Sequence, residues 1–418
     1  MITNKIKIQL ESEIGELEGV ILHTPGNEVE NMTPENAERA LYSDILNLSV
    51  ARKEYAQLKG VLEKVTKTFE VKELLTDILE NHDIKSRLIN RITKSCNAEI
   101  IKNHLTEQTP EELTKLLIEG VPVQANSLTD YLQKNYYRLD PLHNFFFTRD
   151  ASSAVNDNVF INRMANKIRM RESIIMEAIF DYHSNFITKT VNPENSRYFN
   201  NEIHTEGGDI LAARKDILII GTGSRTSPQG IDHIARKIES REYPRHIIVQ
   251  ELPYTPESFI HLDMVFTLLD NDKCMVYEPL IMKTTRFATI HMIVENGKII
   301  SIKEKANIPV VLEELGMPVK PILCGGNEIK NQEREQWHSG ANFFAFAPGK
   351  IIGYERNNHT IEELNKNGFE VLRAKDVINN KIKIEDYEKA VITIHGSELA
   401  RGGGGARCMT MPVRRKLL

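Results

Sequence analysis

Four short runs in this chain carry residue types able to do chemistry. The first, Arg401-Gly402-Gly403-Gly404-Gly405-Ala406-Arg407-Cys408, ends on a cysteine and follows the strand-like AVITIH. A glycine run after a strand can cradle phosphate, but no Lys-Ser/Thr follows this one and no acid lies at the dinucleotide-binding distance. It is then either a mobile surface loop near the C-terminus or a loop that folds closely over a ligand and delivers Cys408 into a site. With Arg407 beside it, Cys408 has features that favour a thiolate; otherwise it is a small apolar residue. The second run, Phe259–Phe266 (FIHLDMVF), places His261 and Asp263 on one face if it is a strand, with Ile260, Leu262 and Met264 on the other. That pair is either an acid–base with a charged anchor or the wet face of a half-buried strand. The third, His204-Thr205-Glu206-Gly207-Gly208-Asp209, sets two carboxylates beside glycines that permit close backbone approach, although a plain turn has the same composition. The fourth, Phe145–Asp150 (FFFTRD), ends in Arg149-Asp150, either site residues or a surface ion pair.

No single run decides the matter. Together they supply a thiol, a histidine, a glutamate and several aspartates near presumed strand ends, the set needed for covalent catalysis. The surplus of carboxylates points to a planar cationic target, because two carboxylates can grip a guanidinium through paired charge-assisted hydrogen bonds.

Short strands and intervening helices must position these groups. Leu17–His23 reads as a buried strand ended by Pro25-Gly26, and Thr33-Pro34-Glu35 opens a helix through about Leu41. A further helix is expected at about Val50–Thr66, with a brief strand at Phe69–Lys72. From 73 to 140 the apolar residues recur at helical spacing, as in Leu74, Leu75, Ile78, Leu79 and Ile84, Leu88, Ile89, Ile92, so this stretch reads as a cluster of helices. After Pro141 short strand-like runs dominate, including Ile217–Ile220, Met264–Leu268 and Val391–His395. The grain is α/β or α+β, with radial repetition of a small βαβ-type unit as one arrangement, although no fixed-period sequence repeat is visible.

Composition narrows the class. The chain has 418 residues, 53 Lys plus Arg against 58 Asp plus Glu, a formal charge of −5, 41% hydrophobic and 27% charged residues, as in soluble globular proteins with a large core. The mild acidity argues against a nucleic-acid binder. The acidic N-terminus does not read as a secretory signal, and no apolar run reaches membrane-spanning length. Four cysteines without a CxxC pair make neither a disulfide scaffold nor a zinc site of usual spacing, and the cytoplasm is the expected compartment.

The runs also form an ordered set. FTRD (Phe147–Asp150), EGGD (Glu206–Asp209), HLD (His261–Asp263), REQW (Arg334–Trp337) and SEL…RCMTMP (Ser397–Pro412), with SEIGEL at 12–17, HTPG at 23–26, MTPEN at 32–36 and GANFFAFAPG at 340–349, resemble the arginine deiminase family of guanidino-modifying enzymes in order and spacing. The resemblance implies a five-bladed α/β propeller of the pentein type, formed by 1–72 and 141–418, with residues 73–140 as an inserted helical domain. It implies hydrolysis of free L-arginine to citrulline and ammonia without cofactor or metal, by a homo-oligomer (dimer or tetramer). It further implies that Cys408 is the nucleophile, His261 the proton shuttle, Glu206 the support of that histidine, and Asp150 and Asp263 the holders of the guanidinium. Asn144, Phe147, Arg169 and Arg225 fall where the family holds the amino-acid end, with both arginines on the α-carboxylate. Leu41 corresponds to a pocket-lining residue. A sister reaction, such as citrulline hydrolysis or amidino transfer, is the alternative. Four positions depart from the family pattern: Ser43, Ser224 and Ser339 each stand where it has an acid, and Gly403 stands where its terminal loop has a second arginine.

Overall fold

Paired apolar runs separated by two-residue turns fold into hairpins, and the turn residues show why. Asn296-Gly297 joins Thr289–Glu295 to Lys298–Lys305 with φ of 48° and 73°, the left-handed pair that a two-residue hairpin of this twist requires. Asn156, at φ 56°, turns Ser152–Val155 into Asn158–Ile161. The computed structural model describes residues 5–33, 42, 44–124, 127–133, 136–238 and 245–418.

Among the described residues, five sheets of three or more strands share one construction. Two antiparallel strands form a hairpin, a connection containing a helix follows, and a further strand pairs in parallel with the second strand of the hairpin. In the first sheet, Ser152–Val155 and Asn158–Ile161 are followed by the helix Met170–Tyr182 and by Lys189–Val191. In the second, Ile210–Arg214 and Ile217–Thr222 are followed by Pro228–Lys237 and Arg245–Glu251, with the 289–305 hairpin added outside. The third pairs Phe266–Asp270, Lys273–Val276 and Lys320–Leu323. The fourth pairs Phe344–Ala347, Lys350–Tyr354 and Ala390–Ile394, with Glu370–Arg373 on the edge. The fifth joins the two ends of the chain: Leu17–Leu22 runs antiparallel to Met411–Arg415 and parallel to Lys67–Glu70, across the helix Leu48–Val65. Central strands such as ILII (217–220) are buried on both faces, which is why they read as unbroken apolar runs.

Helices occupy Val71–Leu79, His82–Ser95, Lys102–Thr106 and Pro110–Glu119. The last starts as its sequence predicts: Thr109 and Glu112 exchange hydrogen bonds of 3.3 Å in a capping box, with Pro110 at the first turn. Their apolar faces (Leu74, Ile78, Leu88, Ile92, Leu113, Leu117) share one continuous core with the helix Met170–Tyr182 and the first two sheets. The expected strand at Phe69–Lys72 is displaced: pairing with Gly19–Leu22 ends at Glu70, and Val71 and Lys72 already belong to the next helix. The helix expected from Thr33-Pro34 to Leu41 lies outside the described residues. No helix among the described residues is long and apolar enough to cross a membrane.

Candidate active site

The repeated construction concentrates chemistry at one place. Each sheet's leading hairpin strand, starting at residue 152, 210, 266, 344 or 411, is entered through a short turn, and each turn carries polar groups of one cluster. Asp150 precedes the first, Glu206 and Asp209 the second, His261 and Asp263 the third, Asn342 the fourth and Cys408 the fifth. A small cavity of about 20 Å³ is lined by Asn144, Phe147, Asp150, Arg169, Arg225, Ile260, His261, Gly402, Gly403, Gly404 and Cys408. Seven of the ten residues singled out in the sequence line it. Glu206 and Asp263 stand directly behind it, fully buried, and Leu41 lies outside the described residues.

The strand reading of His261–Asp263 is overturned. His261 is extended (φ −136°, ψ 157°) at the head of a one-turn 3-10 helix, Leu262–Met264, and the strand begins only at Phe266. The alternating pattern FIHLDMVF mimics a strand, but hydrogen bonds from neighbouring turns bend it into a corner. His261 Nε2 lies 2.9 Å from Glu206 Oε2, and its Nδ1 faces Asp150 Oδ1 at 3.8 Å. Burial alone would lower the His261 pKa; Asp150, the Glu206 hydrogen bond and Asp209 raise it to about 9, so the ring rests protonated. Burial would raise Glu206, yet Arg225, His261 and Arg169 hold its carboxyl far below the ordinary range. The other Glu206 oxygen accepts from Ala165 N at 3.1 Å and Arg225 Nη1 at 3.4 Å. Gly207 and Gly208 are demanded by close approach: a Cβ at the first would collide with the Arg149 carbonyl, and at the second with the His261 ring.

Cys408 is 3% exposed, with Sγ 3.7 Å from Asp263 Oδ2. Burial, then Asp263 and Asp150, push its thiol well above the usual value, and this outweighs the lowering by Arg407. Arg407 spends its charge elsewhere, on Glu13 (3.0 Å) and Asp263 (2.8 Å). Arg149 and Asp150, neighbours in sequence, do not pair. Arg149 donates to the Arg407 carbonyl at 3.2 Å, while Asp150 accepts from Arg169 Nη1 at 2.8 Å. Arg169 is also clamped by Glu172, through Nε at 3.0 Å and Nη2 at 2.8 Å. Both aspartates beside the thiol thus hold a guanidinium of the protein itself.

Asp150, Glu206 and His261 also offer ligand atoms within 4.8 Å of one another, a grouping that could hold a metal. The Arg169 guanidinium, 2.8 Å from Asp150 and 3.7 Å from Glu206, already matches their charge and would repel a second cation.

Two residues escaped the sequence reading. Asn342, within GANFF, donates from Nδ2 to Cys408 Sγ at 3.2 Å and to the Asp263 carbonyl at 3.2 Å. Its Oδ1 accepts from the Arg407 and Cys408 amides at 3.0 and 3.3 Å. Nothing in an apolar segment flags one amide; its place at the entry of the fourth strand, equivalent to those of Glu206 and Cys408, does. Asn342→Ala is expected to lower kcat about 10- to 100-fold, the worth of a hydrogen bond to a developing thiolate. Cys408 alkylation by iodoacetamide should slow in parallel, and unchanged rates would contradict the assignment. Glu54, on the helix Leu48–Val65, accepts the amides of Ser397, Glu398 and Leu399 at 2.7, 3.0 and 2.9 Å, and so anchors the glycine loop from its start.

That loop is not a mobile surface element: Gly402, Gly404 and Gly405 are buried, and the Tyr354 hydroxyl donates to the Gly404 carbonyl at 2.9 Å. Gly403 closes a 3-10 turn at φ 82°, where glycine carries no strain. Of the three described departures from the family pattern, only Gly403 lines the cavity. Ser224 is exposed, Ser339 sits buried in a left-handed turn at φ 58°, and Ser43 lies outside the described residues.

A profile of the arginine deiminase family matches residues 38–415. The arginine deiminase of Mycoplasma capricolum subsp. capricolum is 33% identical over 421 residues, 98% of each chain, and that of Bacillus cytotoxicus is 32% identical over 432 aligned positions, 99% of each. Among solved structures, the product-bound N-terminal domain of ArgZ, an arginine dihydrolase from the ornithine–ammonia cycle in cyanobacteria, superposes with a TM-score of 0.53 at 14% identity, over 96% of this chain and 98% of that one. That likeness shows a shared α/β fold. Full-length identity and the family match together show that the chain belongs to the arginine deiminase family.

Proposed function

We propose that this chain hydrolyses free L-arginine to L-citrulline and ammonia through an amidino-cysteine intermediate on Cys408. The observation that carries the reading is a buried thiol flanked by two aspartates, in one cavity with a histidine held by Glu206. The family membership supports it.

The geometry assigns the steps. Asp150 and Asp263 already bind guanidinium groups, those of Arg169 and Arg407. A substrate guanidinium takes Arg169's place on Asp150 and approaches Asp263 beside Arg407. The released Arg169 Nη1 turns to the α-carboxylate, with Arg225 as the second cation and Asn144 and Phe147 on the same wall. With the cation bound, the Cys408 thiol loses its proton to solvent, since His261 already carries one, and the thiolate sulfur attacks the guanidinium carbon, forming the S–C bond. His261 gives its proton to one nitrogen, which leaves as ammonia as the C–N bond breaks. The neutral His261 next takes a proton from water, the hydroxyl adds to the same carbon, and collapse releases citrulline and the Cys408 thiolate. No step calls on a metal or cofactor.

The aspartates set the timing of the thiolate. They oppose it in the free protein, and a bound guanidinium cation offsets them, so substrate helps generate its own nucleophile. The Cys408 thiol should titrate at lower pH with an inert guanidino ligand bound than without it, as read by thiolate absorbance or alkylation against pH. An unchanged titration would sink this part of the mechanism.

The five repeated sheets support a five-bladed propeller, and the helices from 71 to 119 support residues 73–140 as an insert into it. A cytoplasmic homo-oligomer, dimer or tetramer, completes the reading. Its test is product analysis by mass spectrometry of the purified protein offered L-arginine, L-citrulline and agmatine separately, then arginine with glycine. Citrulline and ammonia from arginine alone is the expected outcome. Ornithine from citrulline, or guanidinoacetate formed with glycine, would replace it with a sister reaction.

A further inference from the structure

Asp209, the last residue of the EGGD run, is fully buried yet lines no part of the cavity. Its Oδ1 accepts from the backbone amide of Leu262 at 2.9 Å, and Leu262 stands between His261 and Asp263. Asp209 and Glu206 flank the same 3-10 turn, tied by Asp209 N to Glu206 O at 3.1 Å. One rigid turn therefore holds the His261 ring through Glu206 and the His261–Asp263 backbone through Asp209. The packing is built for this contact: Gly221 lies directly against Asp209 Oδ1 and Leu262, where a Cβ would collide with both.

We propose that Asp209 is a positioning residue of the reaction, fixing the corner that presents His261 and Asp263. This rests on the reading of the Cys408 cavity as an arginine-hydrolysing site.

Its charge also acts on the ring that the corner presents. The groups that act on Asp209 are His261, Glu206, the Thr226 hydroxyl and the Leu262 amide, and its Oδ2 has no hydrogen-bond partner. Burial lifts its pKa to about 7, with Glu206 adding to the rise and His261 opposing it. As pH climbs through 7, Asp209 becomes charged and strengthens the hold of His261 on its own proton. The acid form of the shuttle is thereby extended to higher pH, because an opposite charge nearby favours the charged form.

Two substitutions separate positioning from charge. Asp209→Asn keeps an oxygen for the Leu262 amide and removes the charge. The His261 ring resonances in NMR should then titrate about one pH unit lower than in the wild type, with the alkaline limb of kcat/KM shifted in step. Its plateau kcat should stay within about threefold of wild type if the backbone contact survives. Asp209→Ala removes both functions and should lower kcat about 100-fold, the cost of about 1 Å of misplacement, with KM changed less than about threefold. Asp209→Asn is isosteric and carries the test if the alanine variant does not fold. An Asp209→Asn protein whose His261 titrates as in the wild type would overturn the electrostatic role, and an active Asp209→Ala protein would overturn the positioning role. If the wild type makes no citrulline, the functional reading fails while the NMR titration still decides the place of Asp209.

Discussion

Cys408→Ala is expected to lower arginine turnover by about 10⁴-fold or more while leaving arginine binding measurable by calorimetry. Among the described residues, the thiol is the single nucleophilic atom at the junction of the two aspartates, and no hydroxyl or second thiol lines the cavity. The other three cysteines stand elsewhere. Cys274 and Cys324 are buried, and burial pushes both thiols well above their usual value, while Cys96 lies in the helical segment. Alanine removes only the sulfur, and the packing against Asn342 and the Gly404 backbone leaves its Cβ in place. Binding survives because the groups proposed to grip arginine, Asp150, Asp263, Arg169 and Arg225, are untouched. Substantial activity in Cys408→Ala would mean that water attacks the guanidinium directly.

His261 should follow in size. His261→Ala is expected to lower kcat about 10³-fold, within the range for losing a positioned acid–base. His261→Gln serves as its control, because glutamine can still donate a hydrogen bond to Glu206 but cannot shuttle a proton. The alanine variant carries an added structural cost: Glu206, kept charged by Arg225, His261 and Arg169, loses one hydrogen-bond partner in a fully buried place. If the glutamine variant matched wild type in kcat, the histidine would be a support rather than a shuttle. Thermal unfolding of both variants separates loss of fold from loss of chemistry.

Much of this site was legible in the sequence because the chemistry sits in short polar runs, each beside an apolar strand. Phe147–Asp150, Glu206–Asp209 and Arg407–Cys408 each end a few residues before a strand of the core, so their order along the chain maps onto order among the sheets. Strands such as Ile217–Thr222 and Ala390–Ile394 were readable within one or two residues, because burial on both faces demands unbroken apolar runs. What could not be read is long-range. The His261 corner looks like a strand until Glu206 and the Asp209–Leu262 bond, more than fifty positions away, bend it. Asn342 and Glu54 work through amide and carboxylate contacts with segments far along the chain, and local pattern carries no sign of a distant partner. Arg149 and Asp150 seemed a pair only by adjacency; their side chains diverge to Arg407 and Arg169.

Gly403 illustrates the same division. The sequence marks it as a lost arginine, while the structure shows a left-handed closing residue in a loop anchored instead by Glu54 and Tyr354. Arg401 in that loop pairs with Asp44 at 2.8 Å, so one of its charges remains bound to the segment that precedes the helix Leu48–Val65.

The most direct test is rapid-quench mass spectrometry of the whole protein during turnover of L-arginine. The account predicts a transient adduct on Cys408 with the mass of arginine less ammonia, formed before citrulline appears, decaying as citrulline accumulates, and absent from Cys408→Ala. Citrulline released with no adduct at any time, or an adduct of the amidino group alone formed as ornithine leaves, would contradict it.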